Sequence, residues 1–269
     1  MSRSHPIRIE PGKRFTLDHV DPDDTGPFRG KSQAQGRLQK DLELLPELQY
    51  RLYADGAHAV LVVLQAIDTG GKDGVIRHVM SGLNPAGCAV TSFKVPSAEE
   101  RAHDFLWRIH KAVPPLGVIG VFNRSHYEDV LAVRVHKLVP EKIWRARYAQ
   151  INEFERILTT NGVSLLKVLL HISREEQAQR LRARIEDPAK NWKFSAQDLE
   201  ERKLWKSYIV AFEDAVNECG TPWAPWHVVP ANRKWYRDAV VARLLREHLE
   251  SLPLRYPKPS LDLSKIVIR

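Results

Sequence analysis

The chain has 269 residues, 43% of them hydrophobic, and a formal net charge of +8 with a pI near 9.5. This length and composition allow one large domain, or one domain with an insertion, around a sizeable core. Two distant cysteines, Cys88 and Cys219, exclude a disulfide framework and a cysteine-based zinc site. The basic surplus favours a polyanionic partner, although a generally basic proteome gives the same balance.

The start of the chain, MSRSHPIRIEPGKR, lacks the apolar segment of a secretory signal, and no apolar run approaches the roughly 18 residues that span a bilayer. Together with the low cysteine content, this predicts a soluble cytoplasmic protein that binds no membrane. Nucleic acid is not expected as a partner, because the tryptophans are not interleaved with basic residues as base-stacking side chains would be.

The spacing of apolar residues predicts the elements in chain order. Residues 1–31 are polar and rich in proline and glycine, which predicts an irregular start. The leucines of 33–54 have helical spacing, and Pro46 should kink or divide that helix. From residue 59 onwards, short apolar runs predict five strands, at 59–64, 89–93, 117–122, 164–172 and 226–230.

Amphipathic segments fill the intervals between these runs. Capping boxes open helices at Ser97 and Ser173, and the first should continue to about residue 111. Other helices are predicted over about 73–81, 141–160 and 235–252. This alternation indicates an α/β fold in a single domain, with a five-stranded parallel sheet between helices over 59–269 and an N-terminal segment over 1–58.

In such sheets, ligands bind beyond the carboxyl ends of the strands, and the first strand leads there into DTGGKDG. The segment resembles the phosphate-loop pattern G-x-x-x-x-G-K-[ST], with Ala66 at the first glycine and Asp73 at the Ser or Thr. Glycines let N–H groups surround an anion, the helix N-terminus attracts it, and Lys72 adds a point charge. The alternative is a glycine-rich turn with an exposed lysine. The predicted phosphate-binding residues here are Thr69, Gly70, Gly71, Lys72, Asp73 and Gly74.

Two carboxylates, Asp68 and Asp73, flank the lysine of this loop. Carboxylates beside phosphates repel them unless a divalent cation lies between. The sequence therefore predicts a metal site in which Asp68 is the leading ligand. Asp73 has an alternative role, as an acid favoured by the dipole of the helix N-terminus.

The third strand leads into a second polar loop, NRSHYED at 123–129. A Walker B strand ends in an aspartate that holds Mg²⁺, whereas Asn123 brings no charge. Glu128 and Asp129 can restore the carboxylates at this end of the sheet. Arg124 is a natural clamp for a phosphate or a transition state, so Asn123 and Arg124 join the predicted binding residues.

The stretch 180–206 contains eight Lys or Arg and five Asp or Glu, with a break at Pro188. Beside a phosphate loop, such a stretch is typical of a mobile lid that brings cations onto the moving group and excludes water. The alternative is a salt-bridged helical hairpin. A further segment, 105–111, places Arg108 and Lys111 on one side of a helix.

These segments together resemble the family-2 polyphosphate kinases over nearly the whole chain, from DPDDTGPFRGK to SKIVIR. The carriers of the resemblance are VLVVLQAIDTGGKDG, GLNPAG, SFKVPS, DFLWRIH, FNRSHYEDVL, EFERIL, HISREEQAQRLRAR, DPAKNWKFS and PANRKWYR. The combination is far more specific than any one of them.

The resemblance implies a P-loop kinase fold similar to thymidylate kinase, with a helical lid at about 182–203. It implies phosphoryl transfer between inorganic polyphosphate and nucleotides that depends on Mg²⁺, with Mn²⁺ as the alternative ion, in a dimer or tetramer. NRSHYED resembles the subgroup that acts on nucleoside mono- and diphosphates. Matched to the family's motifs, the Walker A residues are Asp68, Gly70, Gly71, Lys72 and Gly74, the Walker B residues Asn123, Arg124 and Ser125, and the lid residues Arg180, Arg184, Lys190 and Lys193.

We therefore expect a polyphosphate:AMP/ADP phosphotransferase that forms ATP reversibly. Two alternatives are an ATP-dependent nucleoside monophosphate kinase of the same fold and a non-catalytic polyanion-binding protein. The expected residues are Asp68, Lys72 and Arg124 for catalysis, Asp68 and Glu128 for the metal, and Arg77, Arg108 and Lys111 for a basic polyphosphate channel.

Overall fold

The computed structural model of the chain describes residues 7–266 and 268, and one six-stranded sheet forms its centre. The spatial order is β1-β6-β5-β2-β4-β3, in which β2 to β6 are parallel, as predicted. The sixth strand, β1, pairs antiparallel with β6 and was not predicted, because two residues in a polar segment leave no apolar pattern. The strands are β1 Ile7–Arg8, β2 Ala59–Ala66, β3 Cys88–Ser92, β4 Ile119–Asn123, β5 Val163–His171 and β6 Trp226–Pro230.

Helices lie on both faces of this sheet. The α-helices of the described residues are α1 Lys31–Asp55, α2 Lys72–Val79, α3 Ala98–Arg101, α4 Trp107–His110, α5 Ala132–Val135, α6 Glu141–Thr160, α7 Arg174–Glu186, α8 Ala196–Lys203, α9 Trp205–Glu218 and α10 Lys234–Ser251. None of them combines the length and apolar composition needed to cross a bilayer.

Strand β2 shows why both faces are covered. All of its residues are buried, and successive side chains of a strand point to opposite faces. Leu61 and Val63 enter an apolar cluster formed with α6 and α9. Val60, Val62 and Leu64 enter a second cluster formed with α1 and α10. A strand buried on both faces accordingly appears in the sequence as an unbroken apolar run.

The helix predicted from Ser97 to about residue 111 is interrupted. Its capping box is present, since Ser97 N donates to Glu100 Oε2 at 2.7 Å and Glu100 N donates to Ser97 Oγ at 3.1 Å. Asp104 then forms a local turn, because Leu106 N donates to its Oδ1 at 2.9 Å. Aspartate side chains compete in this way with helical hydrogen bonds. The prediction of one continuous helix is therefore wrong, and α3 and α4 are separate.

Helix α1 passes through Pro46 without being divided. Proline removes one helical hydrogen bond. Leu45, Leu48 and Leu52 nevertheless remain buried in the cluster shared with α10, so the helix packs against α10 on both sides of Pro46.

Both ends of the chain extend beyond the described residues. Residues 1–6, together with 267 and 269 in the closing SKIVIR, lie outside them, so the predicted irregular start is compared over 7–31 only. Within 7–30, β1 and a 3-10 turn, Leu17–His19, are the regular elements and the remainder is irregular as predicted, whereas Lys31 already begins α1.

The two predicted loops meet because β2 and β4 are neighbours. Leu64 of β2 pairs in register with Asn123 of β4, so DTGGKDG and NRSHYED leave the same edge of the sheet. Strand β2 also lies between β4 and β5, so later strands of the chain lie on both sides of it. Such a point is where α/β sheets bind ligands.

Candidate active site

The loop between β2 and α2 uses left-handed backbone. Gly71 has a φ of +107°, and Thr69 has a φ of +65°. A side chain is strained at such a φ, which favours glycine at position 71. Gly70 N donates to Ile67 O at 2.9 Å and tightens the turn. The loop then ends at the N-terminus of α2, where free N–H groups attract anions.

Lys72 is the first residue of α2 and is buried. Its Nζ donates to Ala66 O at 3.0 Å. An ammonium has three N–H donors, so those not used by Ala66 are available to a phosphate oxygen. Burial lowers the pKa of Lys72, and Arg124 acts in the same direction, whereas Asp68 and Glu128 oppose it. A desolvated cation of this kind is stabilised by an arriving anion.

Two buried arginines support the loop from the protein interior. Arg237 of α10 fills the space beside Gly71, where a Cβ would lie 2.1 Å from Arg237 Nη1. Its guanidinium is fixed by Asp238, with Nη2 at 2.6 Å from Oδ1. Arg180 of α7 donates from Nη1 to Thr69 O at 2.9 Å. Position 71 therefore requires glycine for two reasons: its backbone is left-handed, and Arg237 occupies the place of a side chain.

Gly71→Ala is accordingly expected to lower the free energy of unfolding by about 1–3 kcal/mol. Gly36→Ala is the matched control, because Gly36 lies inside α1 and a Cβ there meets nothing within 4 Å. The control is expected to be neutral or to stabilise by about 0.5–1 kcal/mol. Urea unfolding of the three proteins measures both effects. Equal effects of the two substitutions would contradict this account of the loop.

Arg124 follows β4 and turns back towards the phosphate loop. It has a φ of +63°, its N–H donates to Leu64 O at 3.2 Å, and its Nη2 donates to Asp68 Oδ1 at 2.7 Å. Burial lowers the pKa of Arg124, but the carboxylates of Glu128 and Asp68 raise it by more. The side chain is 42% exposed and so remains open to a substrate. The structure thus brings together Asp68, Lys72 and Arg124, the three residues predicted for catalysis.

Glu128 is oriented by a buried amide. With its nitrogen towards the carboxylate, Gln65 donates to Glu128 Oε1 at 3.0 Å, and its oxygen accepts from Ser125 Oγ and N at 3.0 and 3.2 Å. Burial raises the pKa of Glu128, against the influence of Arg124 and Lys72. The half-buried carboxylate is therefore electrostatically coupled to both cations of the site.

Asn123 and Asp73 contact each other directly. Asn123 Nδ2 donates to Asp73 Oδ1 at 2.8 Å. The bond joins the end of β4 to the first turn of α2, where the helix dipole also favours an acidic side chain. Two predicted binding residues are thus linked across the two loops.

The middle of NRSHYED faces the core. His126 and Tyr127 are fully buried. Tyr127 Oη donates to Glu155 Oε1 at 2.8 Å, and His126 Nε2 lies 3.2 Å from the same oxygen. Lys167 of β5 pairs with Glu155 Oε2 at 2.6 Å and donates to Tyr127 Oη at 2.8 Å. This buried network anchors the loop whose other residues reach the site.

A cleft of about 300 Å³ lies at the carboxyl end of β3. Arg108 and Lys111 line it together with Lys94, and Arg108 Nη1 donates to Lys94 O at 2.8 Å. The guanidinium of Arg108 is buried, with Nη1 3.6 Å from Glu100 Oε2. Arg77 is exposed on α2 and is not among the residues that line the cleft. Two of the three predicted channel residues thus share a cleft, and the channel stays a prediction.

The four predicted lid residues fall into two groups. Arg180 is buried and supports the phosphate loop, as described above. The other three lie between the last turn of α7 and α8 and contact neighbouring residues. Arg184 Nη1 is 3.5 Å from Asp198 Oδ2, and Lys190 pairs with Asp187. Lys193 Nζ is 5.0 Å from the centre of the Trp192 ring. A moving lid stays a prediction.

The predicted metal ligands do not form a ready-made cage. Across 7–266 and 268, no three His, Cys, Asp or Glu side chains converge to hold an ion. Mg²⁺ usually keeps several waters and binds one or two carboxylates together with substrate phosphates. The carboxylates of Asp68 and Glu128, beside the phosphate loop, fit an ion that arrives with a phosphate substrate.

Three residues that support the site from inside were not predicted from the sequence. They are Gln65, Arg237 and Gln177, whose Nε2 donates to Asp68 O at 3.2 Å. One signal was available, since Gln65 is a polar residue that directly follows the apolar run 59–64. Arg237 stands in PANRKWYR, but its position in a helix gives no indication of which side chain it supports.

A parallel sheet between helices, a glycine-rich strand–loop–helix and a buried lysine at the start of that helix define a P-loop kinase-like α/β protein. The family model for polyphosphate kinase 2 matches residues 29–255. The chain therefore belongs to the polyphosphate kinase 2 family, which confirms the resemblance.

Individual relatives agree over almost the full length. An AMP/ADP-polyphosphate phosphotransferase of Meiothermus ruber is 52% identical over 265 residues, 97% of this chain and 98% of that one. An ADP-polyphosphate phosphotransferase of Rhodopseudomonas palustris is 46% identical over 265 residues, 94% of this chain and 91% of that one. The crystal structure of polyphosphate kinase 2 from Arthrobacter aurescens TC1 superposes with a TM-score of 0.93 at 44% identity, covering 98% of this chain and 95% of that one.

Proposed function

We propose that this chain is a polyphosphate:AMP/ADP phosphotransferase, which transfers a phosphoryl group reversibly from inorganic polyphosphate to ADP, giving ATP, and also to AMP. The observation that carries the proposal is the convergence of Asp68, Lys72 and Arg124 on a phosphate loop in a member of this family. The names of the relatives support the same substrates, since one is named for AMP and ADP and another for ADP.

The site residues suit a transition state with dispersed negative charge. In-line transfer places the phosphoryl group between donor and acceptor oxygens, with charge spread over three equatorial oxygens. Lys72 and the loop N–H groups bind these oxygens, and Arg124 neutralises charge from the opposite loop. Asp68 accepts one hydrogen bond from Arg124, and the remaining guanidinium donors are available to a phosphate. Asp68 thereby positions Arg124 for the transfer.

Asp68 and Glu128 are the proposed residues for holding Mg²⁺, with Mn²⁺ as the alternative. When bound, the ion neutralises phosphate oxygens. A carboxylate pair next to phosphates needs such a counter-ion, and this need supports the proposal. The lid over 182–203 and a homo-oligomer, dimer or tetramer, are part of the same proposal. Light scattering of the purified protein measures the oligomeric state.

The test offers AMP and ADP separately with polyphosphate and Mg²⁺, in the absence of ATP. We expect ATP from ADP, and ADP followed by ATP from AMP. Product from AMP only when ATP replaces polyphosphate would instead identify an ATP-dependent nucleoside monophosphate kinase. Binding of polyphosphate without turnover would identify a polyanion-binding protein.

A further inference from the structure

Two residues that differ from the usual phosphate-site pattern contact each other. Position 73 has an aspartate where phosphate loops have Ser or Thr, and position 123 has an asparagine where Walker B strands have aspartate. In the fold, Asn123 Nδ2 donates to Asp73 Oδ1 at 2.8 Å. The two departures are therefore one structural feature.

Charge explains why they belong together. The carboxylates Asp68, Asp73 and Glu128 already lie in one cluster with Lys72 and Arg124. An aspartate at position 123 would place a fourth carboxylate within hydrogen-bond distance of Asp73. Like charges at that distance repel each other, and a site for phosphate chains would gain a further negative charge. An amide at 123 avoids the charge and supplies the donor that fixes the Asp73 carboxylate.

We infer that Asn123 and Asp73 are a matched pair, in which Asn123 is the positioning residue that makes a carboxylate after the loop lysine compatible with phosphate substrates. The inference rests on the proposed function. The pair needs one carboxylate and one amide, and either position can carry either group. The pair should therefore tolerate exchange of its two side chains better than the introduction of a second carboxylate.

A double-mutant cycle tests this with Asn123→Asp, Asp73→Asn and the exchanged protein that carries both. We expect Asn123→Asp to lower kcat/KM for polyphosphate about tenfold, about 1.4 kcal/mol, mainly through KM. The defect relative to the parent should shrink at high salt, because ions screen the added repulsion. The exchanged protein should recover to within about threefold of the parent. An equal effect of Asn123→Asp in the parent and in the Asp73→Asn background would overturn the inference, as would parental activity of Asn123→Asp alone.

Thermal midpoints without substrate or divalent ions keep the inference separate from the proposed function. We expect Asn123→Asp to lower the midpoint and the exchanged protein to regain most of the loss, whatever the protein phosphorylates. If the parent protein shows no transfer from polyphosphate, the proposed function fails and the midpoints alone decide. Additive midpoints would overturn the pairing even in an active enzyme.

Discussion

Replacing Lys72 with methionine is expected to lower kcat/KM for phosphoryl transfer by about 10²–10³-fold while leaving the protein folded. Lys72 Nζ is held by Ala66 O at the start of α2, and its burial lowers the pKa of the ammonium. Methionine matches the stem of lysine and removes a buried charge, so the thermal midpoint should not fall sharply. The measurement is ATP formation from ADP and polyphosphate, with the midpoint recorded on the same samples.

Lys40→Met is the control for this substitution. Lys40 is exposed on α1, so its loss also removes one positive charge without touching the loop. The control is expected to retain activity within about twofold, because isolated surface charges contribute little. Comparable activity of Lys72→Met and Lys40→Met would remove Lys72 from the mechanism. A collapse of the midpoint in Lys72→Met would show that the lysine is needed for folding instead.

Replacing Lys167 with methionine is expected to destabilise the protein by about 3–5 kcal/mol. Lys167 and Glu155 are both fully buried and 2.6 Å apart, and Lys167 also donates to Tyr127 Oη. Removing the lysine leaves the Glu155 carboxylate uncompensated in the core. Since Tyr127 belongs to NRSHYED, the anchor of the site loop should weaken at the same time. Urea unfolding at neutral pH measures the loss.

The double substitution Lys167→Met with Glu155→Gln separates a lost ion pair from a lost side chain. A neutral amide no longer needs a buried cation and still accepts the hydrogen bond from Tyr127. We expect the double variant to be more stable than Lys167→Met alone. Equal stability of the two variants, or a cost below about 1 kcal/mol for Lys167→Met, would contradict the role given to the pair.

The sheet could be predicted from the sequence because its signal is local. The five parallel strands coincide with short segments rich in apolar residues, and β2 is the clearest of them because both of its faces are buried. The residues that meet at the carboxyl ends of β2 and β4 followed from the rule that ligands bind beyond the carboxyl ends of parallel strands. Asp68, Lys72 and Arg124 were found in this way, before any contact between them was known.

The support of the site could not be predicted because it depends on distant packing. Arg237 is far from Gly71 in sequence, and only the docking of α10 against α2 brings their atoms together. Gln65 can be recognised as unusual within its strand, but its partner Glu128 depends on a loop conformation that sequence spacing does not determine. Arg180 was expected among the lid residues, and the structure places it buried beside the phosphate loop, where its Nη1 donates to Thr69 O.

The most direct test of phosphoryl transfer from polyphosphate follows the phosphorus atom itself. Polyphosphate labelled with ³²P is incubated with ADP, Mg²⁺ and the purified chain. The nucleotides are then separated, and their phosphates are removed stepwise to locate the label. We predict label in the γ-phosphate of ATP, formed by the parent protein and lost in Lys72→Met. Unlabelled ATP, or labelled ATP formed equally by Lys72→Met, would contradict it.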